Sequence, residues 1–102
     1  GCLMADEKVH VGYKLIRDFV AFTDRRIIFV DKQGISGRKT QYVSIPYRSV
    51  SRFSVETAGT LDIDTDILIW TTGGMEPVRL SCRRDTNIRG IQGALSWGVF
   101  GN

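Results

Sequence analysis

The stretch YKLIRDFVAFTDRRIIFVDKQG, residues 13–34, decides how this chain folds. Two runs rich in β-branched and aromatic residues flank the tetrapeptide TDRR, in which Asp24 is a natural turn residue, and this pattern predicts a β-hairpin. Residues 19–22 and 27–30 are apolar without interruption. Because successive side chains of a strand point to opposite faces, both faces of the hairpin are apolar, whereas an antiparallel sheet usually buries only one. The sequence leaves three candidates for the cover of the second face: the rest of the chain, a second copy, or a ligand.

Further strand-like runs, separated by turn residues, lie on both sides of this hairpin. The predicted strand over residues 18–23 can also be read as a continuation of the strand over residues 9–16 past a kink at Arg17. Even spacing of short strands with glycine-rich turns predicts a mostly β sandwich or partly open barrel. The predicted strands cover residues 9–16, 18–23, 26–31, 39–45, 50–57, 62–71 and 78–82.

The carboxyl end, DTNIRGIQGALSWGVFGN, changes to a helical period, and we predict a helix over residues 85–100 with Asp85 or Thr86 as its N-cap. Each internal glycine costs about 1 kcal/mol against alanine in a helix, so packing must hold this helix in place. One apolar stripe contains Ile88, Ile91, Leu95 and Val99, and the opposite side contains Gly90, Gly93, Trp97 and Phe100.

Length and composition fit one globular domain over residues 1–102, with a sandwich over 6–83 followed by the helix. The chain has 42% hydrophobic residues, 25% charged residues and a net charge of +3, which permits an anionic partner without requiring one. Lysine and arginine are scattered rather than clustered, so we expect no nucleic-acid partner. We find no run of about 20 apolar residues and no signal peptide, and we expect a cytoplasmic protein. Glycine at position 1 with the first methionine at Met4 leaves open a segment upstream.

The residue types that carry chemistry are sparse. One histidine, His10, and two cysteines, Cys2 and Cys82, give no zinc-binding spacing. The segment DIDTD resembles the start of a calcium loop, but the glycine and glutamate that an EF-hand needs further on are absent. We expect Cys82 to be a core or half-buried residue rather than a nucleophile and see no acid–base pair. The prediction is therefore a protein that is not an enzyme, with no metal and no cofactor.

The segments FTDRRIIFVDKQG and SIPYRSVSRFSVETAG, within a match from Asp6 to Phe100, resemble the bacterial pleckstrin-homology-like domain family. The resemblance implies a seven-stranded, strongly bent antiparallel sandwich closed at one end by a C-terminal helix. It also implies that relatives assemble into rings through their sheets. The family has no established activity, so the resemblance supplies no reaction, and the glycines of the helix depart from the stronger helix formers expected there.

These observations favour a non-enzymatic interaction or scaffold module that self-associates by sheet-edge pairing and burial of its surplus apolar faces, with a further protein partner left unidentified. Alternation alone cannot decide which of the apolar candidates face the core. The interface candidates are Phe19, Phe22, Ile28 and Phe29, with Trp97 and Phe100 as a second patch.

Binding of an anionic lipid or phosphate ligand around the loop KQGISG is the second hypothesis, and membrane lipid is the less favoured partner. Ordinary solvated loop charge explains the same basic residues. Capture of a peptide by strand addition at an exposed sheet edge is a third hypothesis. The anion-binding candidates are Lys32, Arg38 and Lys39, which flank this loop, and Arg25 and Arg26 at the preceding turn.

Overall fold

A computed structural model describes residues 3–33, 38–57 and 65–101, and these contain the seven predicted strands and the C-terminal helix. A single 3-10 turn, Tyr47–Ser49, separates the fourth and fifth strands. The boundaries differ from the prediction by a few residues at most, apart from residues 62–64 of the sixth strand, which lie outside the described residues. The elements are β1 Val9–Lys14, β2 Phe19–Thr23, β3 Arg26–Gln33, β4 Lys39–Pro46, β5 Val50–Thr57, β6 Thr65–Thr71, β7 Val78–Cys82 and α1 Ile88–Phe100.

Two antiparallel sheets form the fold, one with the order β1-β2-β3-β4 and one with the order β5-β6-β7. The Arg17 region reverses the chain rather than kinking a single strand, because the Leu15 N–H donates to the Asp18 carbonyl at 2.9 Å and β1 then pairs antiparallel with β2. The two sheets meet where the Ile16 N–H donates to the Ser81 carbonyl at 3.0 Å. The expected hairpin around TDRR is confirmed as the β2–β3 pair.

The core lies between the two sheets and beneath α1. Cross-strand partners such as Val20 and Phe29, or Phe22 and Ile27, face it from the first sheet. The second sheet contributes Ile67 to the same cluster, and that residue lies opposite Leu80. Among the described residues, fourteen buried ones form this cluster, so the inner faces of both sheets are covered within the chain.

Asn87 is the N-cap of α1, and the prediction of Asp85 or Thr86 was wrong. The Asn87 side-chain oxygen accepts a hydrogen bond from the Gly90 N–H at 2.9 Å, which satisfies one of the free donors of the first turn. The predicted apolar stripe is confirmed, since Ile91 and Leu95 belong to the core and Ile88 and Val99 pack against it.

The three glycines of α1 have different surroundings: Gly93 is exposed and Gly90 half-buried on the side that the helical period predicted, whereas Gly98 is buried. Gly98 is buried against the ring of Tyr47, and a side chain at Gly90 would meet the Tyr13 hydroxyl. Gly93 has open space around it. Two of these glycines therefore permit close approach of aromatic side chains, which explains a composition that weakens the isolated helix.

Candidate functional site: the outer faces of the sandwich

The outer face of the first sheet carries a row of apolar side chains. Phe19 lies opposite Val30 in the pairing of β2 with β3, and Val30 lies opposite Tyr42 in the pairing of β3 with β4. Phe19 is 39% exposed and Tyr42 is 60% exposed. Beside this row, Ala21 lies opposite Ile28, and both are nearly buried although neither belongs to the core cluster. The surplus apolar face expected from the sequence is therefore this outer face.

Phe19 covers part of the face itself. Its ring lies over Gly12 of the neighbouring strand β1, where any side chain would collide with it. The ring therefore extends across the sheet toward β1, which makes this face more even. A flat apolar surface of this kind suits contact with another flat surface.

The outer face of the second sheet is built differently. Leu68 lies opposite Arg79, and the Arg79 guanidinium donates to the carboxylates of Asp66, at 2.5 Å, and Glu56, at 3.3 Å. The two carboxylates raise the pKa of Arg79 above its ordinary value, with Asp66 contributing more. The arginine stem lies beside Leu68 while its charged end stays in water. Charged side chains of the same chain therefore surround Leu68 on this face.

A contact between an arginine and a tryptophan lies on the same face, across β5 and β6. The guanidinium of Arg52 lies 4.2 Å from the ring centroid of Trp70, its cross-strand neighbour. This geometry is a cation–π contact, which is favourable at exposed sites. The second sheet therefore presents charged and stacked side chains to solvent.

The six interface candidates fall into three groups. Phe22 and Phe29 belong to the core between the sheets, so their side chains cannot reach a second subunit in this fold. Phe19 and Ile28 lie on the outer face of the first sheet. Consecutive apolar residues could not separate these pairs, because both faces of the hairpin carry large side chains.

Trp97 and Phe100 lie on α1 but do not form one patch. The Trp97 ring contacts His10 of β1 and Tyr47, with centroid distances of 4.9 and 6.2 Å. Phe100 is 73% exposed, and its ring lies 6.0 Å from that of Phe53 on β5. The two residues therefore face different sheets.

The five anion-binding candidates lie at two separate ends of the first sheet. Arg25 and Arg26 lie at the β2–β3 turn, whereas Lys32 and Lys39 lie at the other end of β3 and β4, with Arg38 beside them. Six residues along β3 correspond to about 20 Å. The five candidates therefore form two separate basic groups, because the strands run between them. Residues 34–37 of that loop lie outside the described residues.

Arg26 takes part in a buried cluster that sequence reasoning missed. Its Nε and Nη2 atoms donate to the two carboxylate oxygens of Glu7 at 2.9 and 2.8 Å, and the Thr23 hydroxyl donates to the same carboxylate at 2.6 Å. The side chain of Glu7 is fully buried. These bonds, Arg26 first, hold the pKa of Glu7 at about 2. The sequence around Glu7 gave no local signal of this cluster, because its partners Thr23 and Arg26 are 16 and 19 residues away.

Tyr47 extends this cluster toward the helix. Its hydroxyl donates to the Thr23 carbonyl at 2.6 Å, and its ring packs on Gly98. Burial, followed by the carboxylates of Asp24 and Glu7, raises the pKa of Tyr47 to about 12. The cluster therefore joins the segment before β1, the β2–β3 turn and α1.

Cys82, the described cysteine, lies in the core of the fold. Burial, with a smaller contribution from Asp66, raises the pKa of the Cys82 thiol to about 11, so the nucleophilic thiolate is disfavoured. Cys82 is a core residue, as predicted. Within residues 3–33, 38–57 and 65–101, no group of three or more His, Cys, Asp or Glu side chains could hold a metal ion. Asp62 and Asp64 of the segment DIDTD lie outside the described residues.

The only described helix, α1, falls short of the length and apolar character that crossing a bilayer requires. Sheets of four and three antiparallel strands, followed by one C-terminal helix, define a pleckstrin-homology-like fold. The crystal structure of a pleckstrin homology domain from Shewanella amazonensis SB2B matches with a TM-score of 0.87 and 40% identity, over 97% of this chain and 80% of that one. The fold expected from the sequence is therefore confirmed.

The chain belongs to the bacterial PH domain family, whose model matches residues 1–99. It is 50% identical over 95 residues to the uncharacterized protein YjqA of Bacillus subtilis (strain 168), covering 92% of this chain and 76% of YjqA. The uncharacterized protein YozO of the same organism is 33% identical over 94 residues, covering 92% and 80%. A DUF1696 family protein with a pleckstrin-homology domain from Shewanella loihica PV-4 matches at a TM-score of 0.81 and 36% identity, over 96% and 84%. These relatives confirm the family expected from the sequence and assign no function.

Proposed function

We propose that this chain is a non-enzymatic PH-like module that self-associates through the outer face of its first sheet and so acts as an interaction or scaffold unit. The observation that carries the proposal is the exposed row Phe19–Val30–Tyr42, which runs across three neighbouring strands. Contiguous apolar surface of this kind marks interaction sites more often than isolated exposed residues do. The buried thiol of Cys82, which is not in a disulfide, fits a reducing compartment such as the cytoplasm.

The position of β4 supports a second copy as the occupant. Within the described residues β4 pairs with β3 alone, so its other edge offers unpaired backbone groups along eight residues. Tyr42, which ends the apolar row, lies on this edge strand. A strand added at β4 extends the hydrogen-bonded sheet and places its own side chains beside Tyr42, so it covers that end of the apolar row.

The charges on this face favour a head-to-tail contact. Its strand positions include Lys14, opposite Phe19 at one end of the row, and Lys32, beside Val30 on the same face of β3, and they include no acidic residue. A two-fold contact sets the same patches against each other and brings these lysines together, whereas a head-to-tail contact sets the face against a different surface. Head-to-tail contacts close into rings when the rotation permits, which agrees with the resemblance to ring-forming relatives.

The test is the molar mass in solution by size-exclusion chromatography with light scattering, over a dilution series. We expect a mass several times the 11.4 kDa of one chain. Tyr42→Asp places a carboxylate in the apolar row at an exposed edge position, so it should convert the assembly to monomer while leaving the melting temperature of the monomer nearly unchanged.

Ser54→Asp is the matched control, because Ser54 is an exposed outer-face residue of β5 in the second sheet. It should leave the mass unchanged. A monomer at every concentration in the unsubstituted chain contradicts the proposal, and equal loss of mass in both variants shows that added charge, rather than this face, controls assembly.

Anionic-lipid binding remains the second candidate, with a smaller site than the sequence predicted. Arg25 pairs with Asp6 at 2.7 Å and Arg26 pairs with Glu7, which leaves Lys32, Arg38 and Lys39 as a group at one end of the sheet. Charge reversal of Arg38 and Lys39 separates the two functions. It should abolish sedimentation with phosphatidylglycerol vesicles if this site binds lipid, and it should leave the molar mass intact.

A further inference from the structure

A groove lies between β1 and α1, apart from the outer face just described. Its volume is about 390 Å³, within the range of small-molecule sites. Its apolar lining comes from the core side of the fold and includes Val11, Phe22 and Ala94. Tyr13, Trp97 and His10 add aromatic rings to it.

A β-bulge turns His10 toward this groove. In the pairing of β1 with β2, Val9 lies opposite Thr23 and Val11 lies opposite Phe22, so His10 is the extra residue between them. Bulges of this kind redirect a side chain. The His10 ring contacts the Trp97 ring edge-on at 4.9 Å, which sets the histidine of β1 against the tryptophan of α1 at the groove.

One glycine of α1 keeps the groove open. Gly90 lacks the side chain that would meet the Tyr13 hydroxyl. Trp97 remains 43% exposed even with its contacts to His10 and Tyr47. A bound apolar group would therefore remove aromatic surface from water without displacing any packed side chain.

The lining itself favours an anion over a cation. The seven residues that line the groove include no aspartate or glutamate. The groove also reaches Gly90 in the first turn of α1, where the helix dipole is positive. His10 and the Tyr13 hydroxyl supply hydrogen-bond donors beside the apolar lining.

From this geometry we infer that the β1–α1 groove binds a small amphiphilic carboxylate, with an apolar chain or ring against Phe22, Ala94 and Trp97 and its carboxylate toward His10 and Tyr13. This site shares no residue with the proposed self-association surface. Its success or failure is therefore independent of the oligomeric state.

The probe is decanoate below its micellar concentration, compared with 1-decanol, which has the same chain without the charge. A Trp70→Phe background leaves Trp97 as the single tryptophan, because the chain contains two. We expect saturable quenching or shift of Trp97 fluorescence by decanoate and at least about tenfold weaker binding of decanol, since hydrogen bonds to a charged group contribute about 1.5–3 kcal/mol.

Three variants locate the site, with isothermal titration calorimetry as the common readout. His10→Phe keeps a ring against Trp97 but removes the nitrogen donor, so it should weaken decanoate binding about tenfold and leave decanol unchanged. Ala94→Leu fills the groove and should weaken both ligands. Gly93→Ala, at the open helix position, is the control and should change neither.

Binding of decanol as tightly as decanoate overturns the assignment of an anionic ligand. Absence of saturable binding overturns the site, as does binding that Ala94→Leu leaves unchanged. Association with phosphatidylglycerol vesicles but not with monomeric decanoate also overturns it, because the occupant is then a membrane surface. Light scattering on the same samples reports self-association separately.

Discussion

The outer face of each sheet carries a buried apolar residue, but the surroundings of that residue differ between the two sheets. On the second sheet, Leu68 lies opposite Arg79, whose guanidinium is paired with Asp66 and Glu56. On the first sheet, Ile28 is buried to the same extent, 7% exposed in each case, but its neighbours include the exposed apolar row ending at Tyr42. The comparison teaches that burial of one residue does not show that the apolar residues around it are also covered. The second sheet covers its apolar residue with charge, whereas the first extends an apolar surface outward.

The same contrast occurs along α1. At Gly98 the helix is packed against Tyr47, while at Gly93 the surface is open. In a region that is covered by its own chain, a substitution should change the stability of the fold and nothing else. A region without such cover can respond through binding, and this difference can be measured.

The largest expected effect comes from truncating the two equally buried outer-face residues. Leu68→Ala should lower the free energy of unfolding by about 2–5 kcal/mol, at every protein concentration, because its cover belongs to the same chain. Ile28→Ala should have a comparable cost and should also reduce the assembled fraction on dilution. Guanidinium unfolding at two protein concentrations, with light scattering, distinguishes them. Identical concentration dependence in both variants would erase the distinction between the two faces.

The two helix glycines sharpen the comparison at smaller magnitude. Gly98→Ala forces a methyl group into the Tyr47 ring, and overpacking costs about 1–3 kcal/mol, partly offset by the better helix propensity of alanine. Gly93→Ala meets no neighbour and should stabilise the fold by up to about 1 kcal/mol. Thermal unfolding should therefore shift in opposite directions. A stabilising Gly98→Ala would mean that Tyr47 can move aside despite its bond to Thr23.

Acid should weaken the hydrogen bonds that the Glu7 carboxylate accepts from Thr23 and Arg26 at the β2–β3 turn. The pKa of Glu7 is about 2 in the fold and 4.5 ordinarily, so its stabilisation is complete above about pH 4.5 and is lost as the pH falls toward 2. Glu7→Gln should be less stable than the unsubstituted chain at pH 7, and the difference should shrink between pH 4.5 and 2. Parallel stability curves for the two proteins across this range would contradict a role for the ionised carboxylate.

The smallest effect is expected at the ion pairs of the second sheet. Arg79→Met keeps an apolar stem beside Leu68 but removes the bonds to Asp66 and Glu56, so stability should fall only slightly, because exposed ion pairs contribute little. The loss should diminish further in high salt, where screening weakens the unsubstituted pairs. Chemical unfolding at low and high ionic strength measures this. A loss as large as that of Leu68→Ala would show that charge, rather than the stem, protects this face.

Much of the fold could be predicted from local patterns. Runs of β-branched and aromatic residues between turn residues placed all seven strands, because strand and turn preferences depend on adjacent residues. The helical period placed Ile91 and Leu95 on the buried stripe of α1. The N-cap was misplaced, since Asp85, Thr86 and Asn87 all have side chains that can cap a helix and the choice depends on where packing begins the helix.

The candidate site was predictable only in part. The sequence determined that the β2–β3 hairpin has two apolar faces, because alternation is fixed by the backbone. Only the tertiary structure decided that Phe22 and Phe29 face inward while Phe19 and Ile28 face outward, because this depends on the side from which the second sheet packs. It also decided that Arg26 pairs with Glu7, 19 residues away, and that the basic residues of one hairpin lie at opposite ends. Local chemistry fixes periods and turns, whereas contacts between distant segments depend on the closure of the whole sandwich.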